Sequence, residues 1–181
     1  DLDMKAWLRG LGEAKRKKAL PILSFPAVQL MGITVRELIS DSGRQAEGMA
    51  RIAQRVDAAA SVSLMDLSVE AECFGSQIVV SEDEVPTVTG SILSDPSQVE
   101  ALAIPPVGAG RTSIYLEAVR KAVERIQDRP VFAGMIGPYS LAGRLLDVTE
   151  IMLYCYDDPD MVAQLLDKVT EFLIAYGRAY K

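Results

Sequence analysis

The sequence predicts an α/β fold in which helices alternate with the strands of a parallel sheet. Three observations predict it: short apolar runs of strand length, amphipathic helical patterns between them, and an ordinary globular composition. Of the 181 residues, 49% are hydrophobic and 24% are charged, which suits a domain with a sizeable core. The apolar runs lie at residues 20–25, 61–67 and 130–136. Because crossover helices cover both faces of a parallel sheet, buried strands that alternate with helices favour parallel pairing.

Helical periodicity accounts for most of the remaining chain. The predicted helices cover residues 2–18, a short stretch after Thr34, and then residues 43–60, 111–127, 139–146, 149–156 and 158–181. Thr34-Val35-Arg36-Glu37 has the capping-box pattern, in which the first side chain and the fourth each bond the other residue's backbone. Asp158-Pro159 places a capping carboxylate before a proline at the first helical position.

Residues 77–80 and 86–89 predict a small hairpin that departs from the strand–helix order. Residues 92–110 are rich in Pro, Ser and Gly and predict a connection with one helical turn near 99–102. The last predicted helix has an apolar face with no strand after it. Since a closed eight-stranded barrel takes about 250 residues, the pattern predicts that residues 1–181 form part of a larger domain.

Charge and residue counts exclude several classes of function. The 25 acidic residues outnumber the 19 basic ones, a net charge of −6, which argues against a nucleic-acid partner because such a partner needs a basic surface. No apolar run approaches about 18 residues, so no membrane span is expected. Cys73 and Cys155 form no CxxC pair and fit the cytoplasm. The chain has no histidine, which excludes an imidazole general base.

Three stretches, in this order, resemble the uroporphyrinogen decarboxylase superfamily. Residues 63–75 end a strand with Asp66, residues 131–142 contain Gly-Pro-Tyr-Ser-Leu-Ala, and residues 154–159 end in Asp-Pro. The resemblance spans nearly the whole chain. It implies the N-terminal half of a (β/α)8 TIM barrel with a small β-hairpin excursion, the C-terminal half being absent.

The segment after the first predicted strand separates two branches of this family. Decarboxylases carry an Arg-Gln-Ala-Gly-Arg motif there, whose arginines hold substrate carboxylates. Residues 24–32 are Ser-Phe-Pro-Ala-Val-Gln-Leu-Met-Gly and contain no arginine, although buried carboxylates need cationic partners. The Ser-Phe-Pro-x-x-Gln sequence is similar to methyltransferases that move a methyl group between a corrinoid and a thiol such as coenzyme M.

This branch implies the cofactors and partners. The methyl donor would be a corrinoid or a corrinoid protein, and the acceptor a small thiol. A zinc ion would activate that thiol, held by a His-x-Cys pair and a distant Cys in the second half of the barrel. The resemblance therefore implies no metal ligands in this chain, and a chain that is inactive alone.

Asp66 is the first candidate catalytic residue, because barrel enzymes place their chemistry at the carboxyl ends of strands. Its alternative role is the capping of the following turn. The expected substrate-binding residues are Ser24, Gln29, Met65, Glu70, Gly137 and Tyr139. Local turn chemistry competes with binding for Ser24 and Gln29, and core packing competes for Tyr139.

Two other functions stay open. A carboxy-lyase of porphyrin biosynthesis would need arginines from elsewhere, such as Arg36, Arg44 or Arg144. A non-catalytic corrinoid-binding half barrel would pair with a second copy, because exposed strand edges favour such pairing.

Overall fold

A computed structural model describes residues 3–181, so residue 2, where the first helix is predicted to begin, lies outside the described residues. The strands are β1 (Ser61–Val62), β2 (Gln77–Val79), β3 (Thr87–Thr89) and β4 (Val131–Phe132). The helices are α1 (Met4–Glu13), α2 (Ala27–Met31), α3 (Val35–Ile39), α4 (Ser42–Arg55), α5 (Val69–Cys73), α6 (Pro96–Ala101), α7 (Thr112–Arg125), α8 (Pro138–Leu146), α9 (Val148–Asp157) and α10 (Pro159–Ala179).

The pairing of β1 with β4 is parallel, as predicted, with Ser61 opposite Val131. The ladder continues beyond both strands, because Ser63 donates its N–H to the Phe132 carbonyl at 2.9 Å. Farther on, the side chain of Ser63 replaces the backbone and accepts the N–H of Gly134 at 2.8 Å. Both strands are therefore shorter than the apolar runs that predict them.

The antiparallel pairing of β2 with β3 confirms the predicted hairpin, with Gln77 opposite Thr89.

The predicted strand at residues 20–25 is wrong, because no strand is assigned to this segment. Residues 24 and 25 form part of a turn, and Leu20 and Ile22 are 46% and 61% exposed. Just before this segment, the Ala19 carbonyl accepts the N–H of Ala59 at 2.8 Å. An apolar segment forms a strand only where a neighbouring strand hydrogen-bonds along its backbone. Here the Ala19–Ala59 bond is a single hydrogen bond and does not form a strand pair.

Both predicted helix starts have the expected caps. Thr34 and Glu37 form the complete capping box of α3. The Asp158 carboxylate accepts the N–H of Met161 at 3.1 Å and begins α10. Two short helices were not predicted. Helix α2 forms in the segment where ligand contacts are expected, and α5 forms where a turn is expected. No helix within residues 3–181 is both long and apolar enough to cross a membrane.

The core consists of three hydrophobic clusters, and α5 joins two of them. The largest surrounds α8 and α10 and includes Ala71 of α5. The second packs α3 against the end of β1 and includes Val69 of α5. The third lies between α4 and α7. Because Glu70 stands between Val69 and Ala71, the fold carries its carboxyl group into the junction of the two larger clusters.

Candidate functional site

Asp66 lies four residues beyond β1, as expected, but it is fully engaged by the protein. Its side chain is 0% exposed. One carboxylate oxygen accepts the N–H of Ser68 at 3.0 Å and its hydroxyl at 2.6 Å. The other accepts Arg111 Nη1 at 2.5 Å and the Tyr115 hydroxyl at 2.8 Å. A carboxylate offers about four acceptor positions, and four donors fill them here. This geometry combines the turn-capping role with an ion pair, while the predicted catalytic role stays a prediction.

Arg111 is the centre of this network. Besides Asp66, its guanidinium donates to Glu72 at 2.6 Å and to the Ser68 hydroxyl at 2.9 Å. Burial alone lowers the pKa of Arg111, but the charge of Asp66 and its hydrogen bond raise it above the usual value. Burial and the Asp66 charge also raise the pKa of Tyr115, so its hydroxyl stays protonated and donates. Two carboxylates thus surround one cation, and the network has little attraction for a further anion.

Glu70 is 2% exposed, and only one of its two carboxylate oxygens has a hydrogen-bond partner among residues 3–181. One oxygen accepts the N–H of Ile136 at 3.1 Å, which ties α5 to the segment between β4 and α8. The other oxygen has no hydrogen-bond partner among residues 3–181. Burial raises the pKa of Glu70, while the Ile136 N–H opposes that shift. Native proteins pair nearly all such buried atoms, so an exception indicates a missing ligand, water or functional role.

Ser24 and Met65, two of the expected substrate-binding residues, are in contact, whereas Gln29 lies apart from them. The hydroxyl of Ser24 is buried and accepts the Met65 N–H at 3.4 Å. This contact brings the segment that begins at residue 24 beside the residue before Asp66. Gln29 lies on α2 and is exposed. The side chain of Met65 covers Gly134.

Gly137 and Tyr139 lie at the start of α8 but have different neighbours. Gly137 lines an open, mainly apolar cleft of about 460 Å³ between the end of β4 and α10. Tyr139 is exposed, and its hydroxyl lies 3.6 Å from the Cys155 sulfur. Its side chain therefore does not fill the core. None of its hydrogen bonds within residues 3–181 reaches Asp66 or Glu70.

The expected zinc ion does not fit the described residues. No three His, Cys, Asp or Glu side chains within residues 3–181 lie close enough together to hold a metal ion. The whole sequence also lacks histidine. Cys73 donates to the Ala109 carbonyl at 3.6 Å, and burial raises the pKa of its thiol. A thiol held in this way is unsuited to bind a metal, which needs the thiolate.

Sequence reasoning missed Arg111 and Tyr115, and it considered Glu72 as a metal ligand and not as a partner of Arg111. One signal could have found the arginine: it immediately precedes the first turn of α7, where the helix dipole disfavours a cation. An arginine at such a position indicates a specific carboxylate partner.

The fold is similar to that of a solved structure. A solved structure described as a methyltransferase from Methanosarcina mazei aligns with a TM-score of 0.84 over 99% of this chain and 56% of its own. The sequence identity is 24%, so this likeness shows the fold alone.

The sequence signature of the uroporphyrinogen decarboxylase (URO-D) family matches residues 22–180. The chain belongs to this family, which confirms the resemblance seen in the sequence.

Curated relatives are named as methyltransferases. Methylcobamide:CoM methyltransferase MtaA of Methanosarcina barkeri is 32% identical over 117 residues, 62% of this chain and 34% of its own. A methylated-thiol–coenzyme M methyltransferase of Methanosarcina mazei is 26% identical over 117 residues, 62% of this chain and 31% of its own. Methylcobamide:CoM methyltransferase MtbA of Methanosarcina mazei is 28% identical over 182 residues, 93% of this chain and 53% of its own. The chain thus spans about a third to a half of these relatives.

Proposed function

We propose that this chain forms one side of the active site of a corrinoid-dependent methyltransferase. The carrying observation is the contact of Ser24 with Met65, which places residues 24–32, a segment without a cation, beside the carboxyl end of β1. A decarboxylase without arginines in that segment would need arginines from elsewhere to hold its substrate's carboxylates. The names of the curated relatives support the same reaction.

The proposed architecture is half of a (β/α)8 barrel. In the two-stranded parallel sheet, β4 pairs with β1 along one edge. Beside its end lies the apolar cleft between Met135 and Leu173. Because a barrel sheet continues strand by strand, a further strand would pair with the free edge of β4. The match to 56% of a longer solved chain agrees with this arrangement.

In the proposed reaction a thiol sulfur takes a methyl group from a corrinoid substrate. The new S–C bond forms as the Co–C bond breaks, both electrons of that bond stay with cobalt, and the thiol proton goes to solvent. Met65 would form an apolar wall and Glu70 a polar anchor. Gly137 would leave the cleft beside β4 open. Because the described residues do not fit zinc, any zinc ligands would lie outside this chain, and the chain alone would be inactive.

The role proposed for Asp66 is to hold Arg111 and the turn at Ser68 in place. This accounts for its four hydrogen bonds better than direct proton transfer does, since proton transfer needs a free acceptor position. Asp66 would thus act through its neighbours on the shape of the active site.

The alternative lyase activity has less support from the described residues. Arg36 pairs with Glu82 and Arg44 pairs with Glu37, both on the exposed surface. Two of the three arginines considered for a decarboxylase are therefore already neutralised.

The test is a methyl-transfer assay on the full-length protein with methylcobalamin and coenzyme M. Loss of the Co–C absorbance, together with methylated thiol detected by mass spectrometry, is expected. Asp66→Asn should lower kcat/KM, whereas Asp57→Asn, which changes an exposed partner of Lys18, should not. Coproporphyrinogen formed from uroporphyrinogen, with no methylated thiol, would establish the lyase instead. Corrinoid binding by a dimer without turnover would establish the non-catalytic half barrel.

A further inference from the structure

Gly134 lies just beyond the end of β4, and the absence of a side chain there leaves the space that Met65 occupies. A Cβ built at Gly134 would overlap the Met65 sulfur and would lie 3.4 Å from its Cγ and 3.5 Å from its Cε. Two atoms cannot share this space, so any residue with a side chain at position 134 would displace Met65. The position of the Met65 thioether therefore depends on Gly134.

The backbone on both sides of this contact is held by hydrogen bonds. Gly134 donates its N–H to the Ser63 hydroxyl at 2.8 Å, and Met65 donates its N–H to the Ser24 hydroxyl at 3.4 Å. A shift of either backbone would weaken these bonds, whereas the unbranched side chain of Met65 rotates about three bonds. A side chain at position 134 would therefore move the thioether and leave the two strand ends in place.

The contact lies where barrel enzymes bind their substrates. Met65 is the third residue after β1 and Gly134 is the second after β4, and the active sites of such enzymes lie at the carboxyl ends of the strands. Both residues are half-buried, so part of each faces away from the protein interior. Leu64 and Asp66, on either side of Met65, are buried in a close-packed interior. A displaced thioether therefore has room only on the open side of the strand ends.

Building on the proposed function, we infer that Gly134 is a positioning residue for the corrinoid substrate. Because it has no side chain, Met65 lies against the end of β4 and keeps the open side of the strand ends clear for a bulky ligand. The contact with the substrate belongs to Met65, whose polarizable thioether adapts to an apolar surface such as the periphery of a corrin ring. Gly134 acts only through Met65.

The test is a double-mutant cycle on the full-length protein, with methylcobalamin affinity measured by absorbance titration. Gly134→Ala should weaken methylcobalamin binding by about tenfold, because its Cβ turns the Met65 thioether into the binding space. Met65→Ala removes all three atoms that the new Cβ would meet. Gly134→Ala should therefore have no further effect when it is added to Met65→Ala.

Turnover separates this role from a purely structural one. Gly134→Ala should raise KM for methylcobalamin and leave kcat near that of wild type, since it opposes the binding of substrate and transition state alike. Gly12→Ala is the matched control on α1, where a new Cβ would meet no described atom within 4 Å outside the backbone of its own helix. It should change neither constant.

Thermal melts follow the same cycle without substrate. Gly134→Ala should melt below wild type, and the double variant should melt like Met65→Ala. If Gly134→Ala does not fold, the double variant should still fold and bind methylcobalamin as Met65→Ala does, and a double variant that fails to fold would overturn the inference.

Two further results would overturn the inference and leave the proposed function intact. One is an equal loss of affinity on Gly134→Ala with and without Met65→Ala, and the other is a folded Gly134→Ala protein that binds methylcobalamin like wild type. A wild-type protein that neither binds nor demethylates methylcobalamin would refute the proposed function, and this inference with it.

Discussion

Replacing Arg111 by methionine should be the most damaging single change in the Asp66 network. The substitution keeps an apolar stem of similar length but leaves the Asp66 carboxylate, which is 0% exposed, without its cation. Three of its four donors would remain: the N–H and the hydroxyl of Ser68, and the hydroxyl of Tyr115. Removal of one partner of a buried ion pair costs about 3–5 kcal/mol of folding free energy.

One effect opposes this loss. A cation near the amino end of α7 is disfavoured by the helix dipole, so its removal returns about 0.3–1 kcal/mol. The side chain of Arg111 is only 12% exposed, so solvent cannot substitute for the lost ion pair. The net expectation is a destabilisation of about 3 kcal/mol.

The assay is urea unfolding followed by circular dichroism, with Arg120→Met as the matched control on the same helix. Arg120 is 59% exposed and pairs with Glu117 and Glu124, so its loss should cost about 1 kcal/mol or less. Adding Asp66→Asn to Arg111→Met should recover part of the loss, because the stranded charge is then removed. If Arg111→Met costs no more than Arg120→Met, the Asp66 ion pair does not stabilise the fold and the reasoning fails.

Two further predictions concern Glu70 and a close helix contact. Because burial raises the folded-state pKa of Glu70, its contribution to stability is present at low pH and is lost as pH rises through that pKa. Glu70→Gln should therefore match wild type in thermal melts near pH 4 and gain relative stability towards pH 8, and a constant difference would contradict this. Gly48→Ala should cost about 1–3 kcal/mol, because its new Cβ would lie 2.8 Å from that of Ala27. Gly12→Ala should be neutral or stabilising in the same melts, because its new Cβ would meet no described atom within 4 Å outside the backbone of its own helix.

Local sequence patterns determined the elements that depend on neighbours along the chain. The capping box at Thr34 and the Asp158-Pro159 helix start need only residues within one turn, and both form as predicted. The hairpin of β2 and β3 follows from alternation on either side of a short turn. The family could also be inferred, since its three motifs are local stretches.

Residues 20–25 show where local pattern is insufficient. Their composition suits a strand, but a strand needs a partner along its length, and composition does not say whether one is present. The same limit applies to β1 and β4. Their parallel pairing was predicted, but the sequence did not show that each strand would be only two residues long.

Only the tertiary structure decided which hydrogen bonds and ion pairs the residues of the candidate site form. The position of Asp66 after a strand was evident from the sequence, but its partner Arg111 lies 45 residues away and follows an unrelated loop. Likewise, the unpartnered atoms of Glu70 and Arg144 are defined by burial between α5 and α8. Charge state and hydrogen bonding depend on which distant groups folding brings within a few ångströms, and no spacing along the chain specifies that.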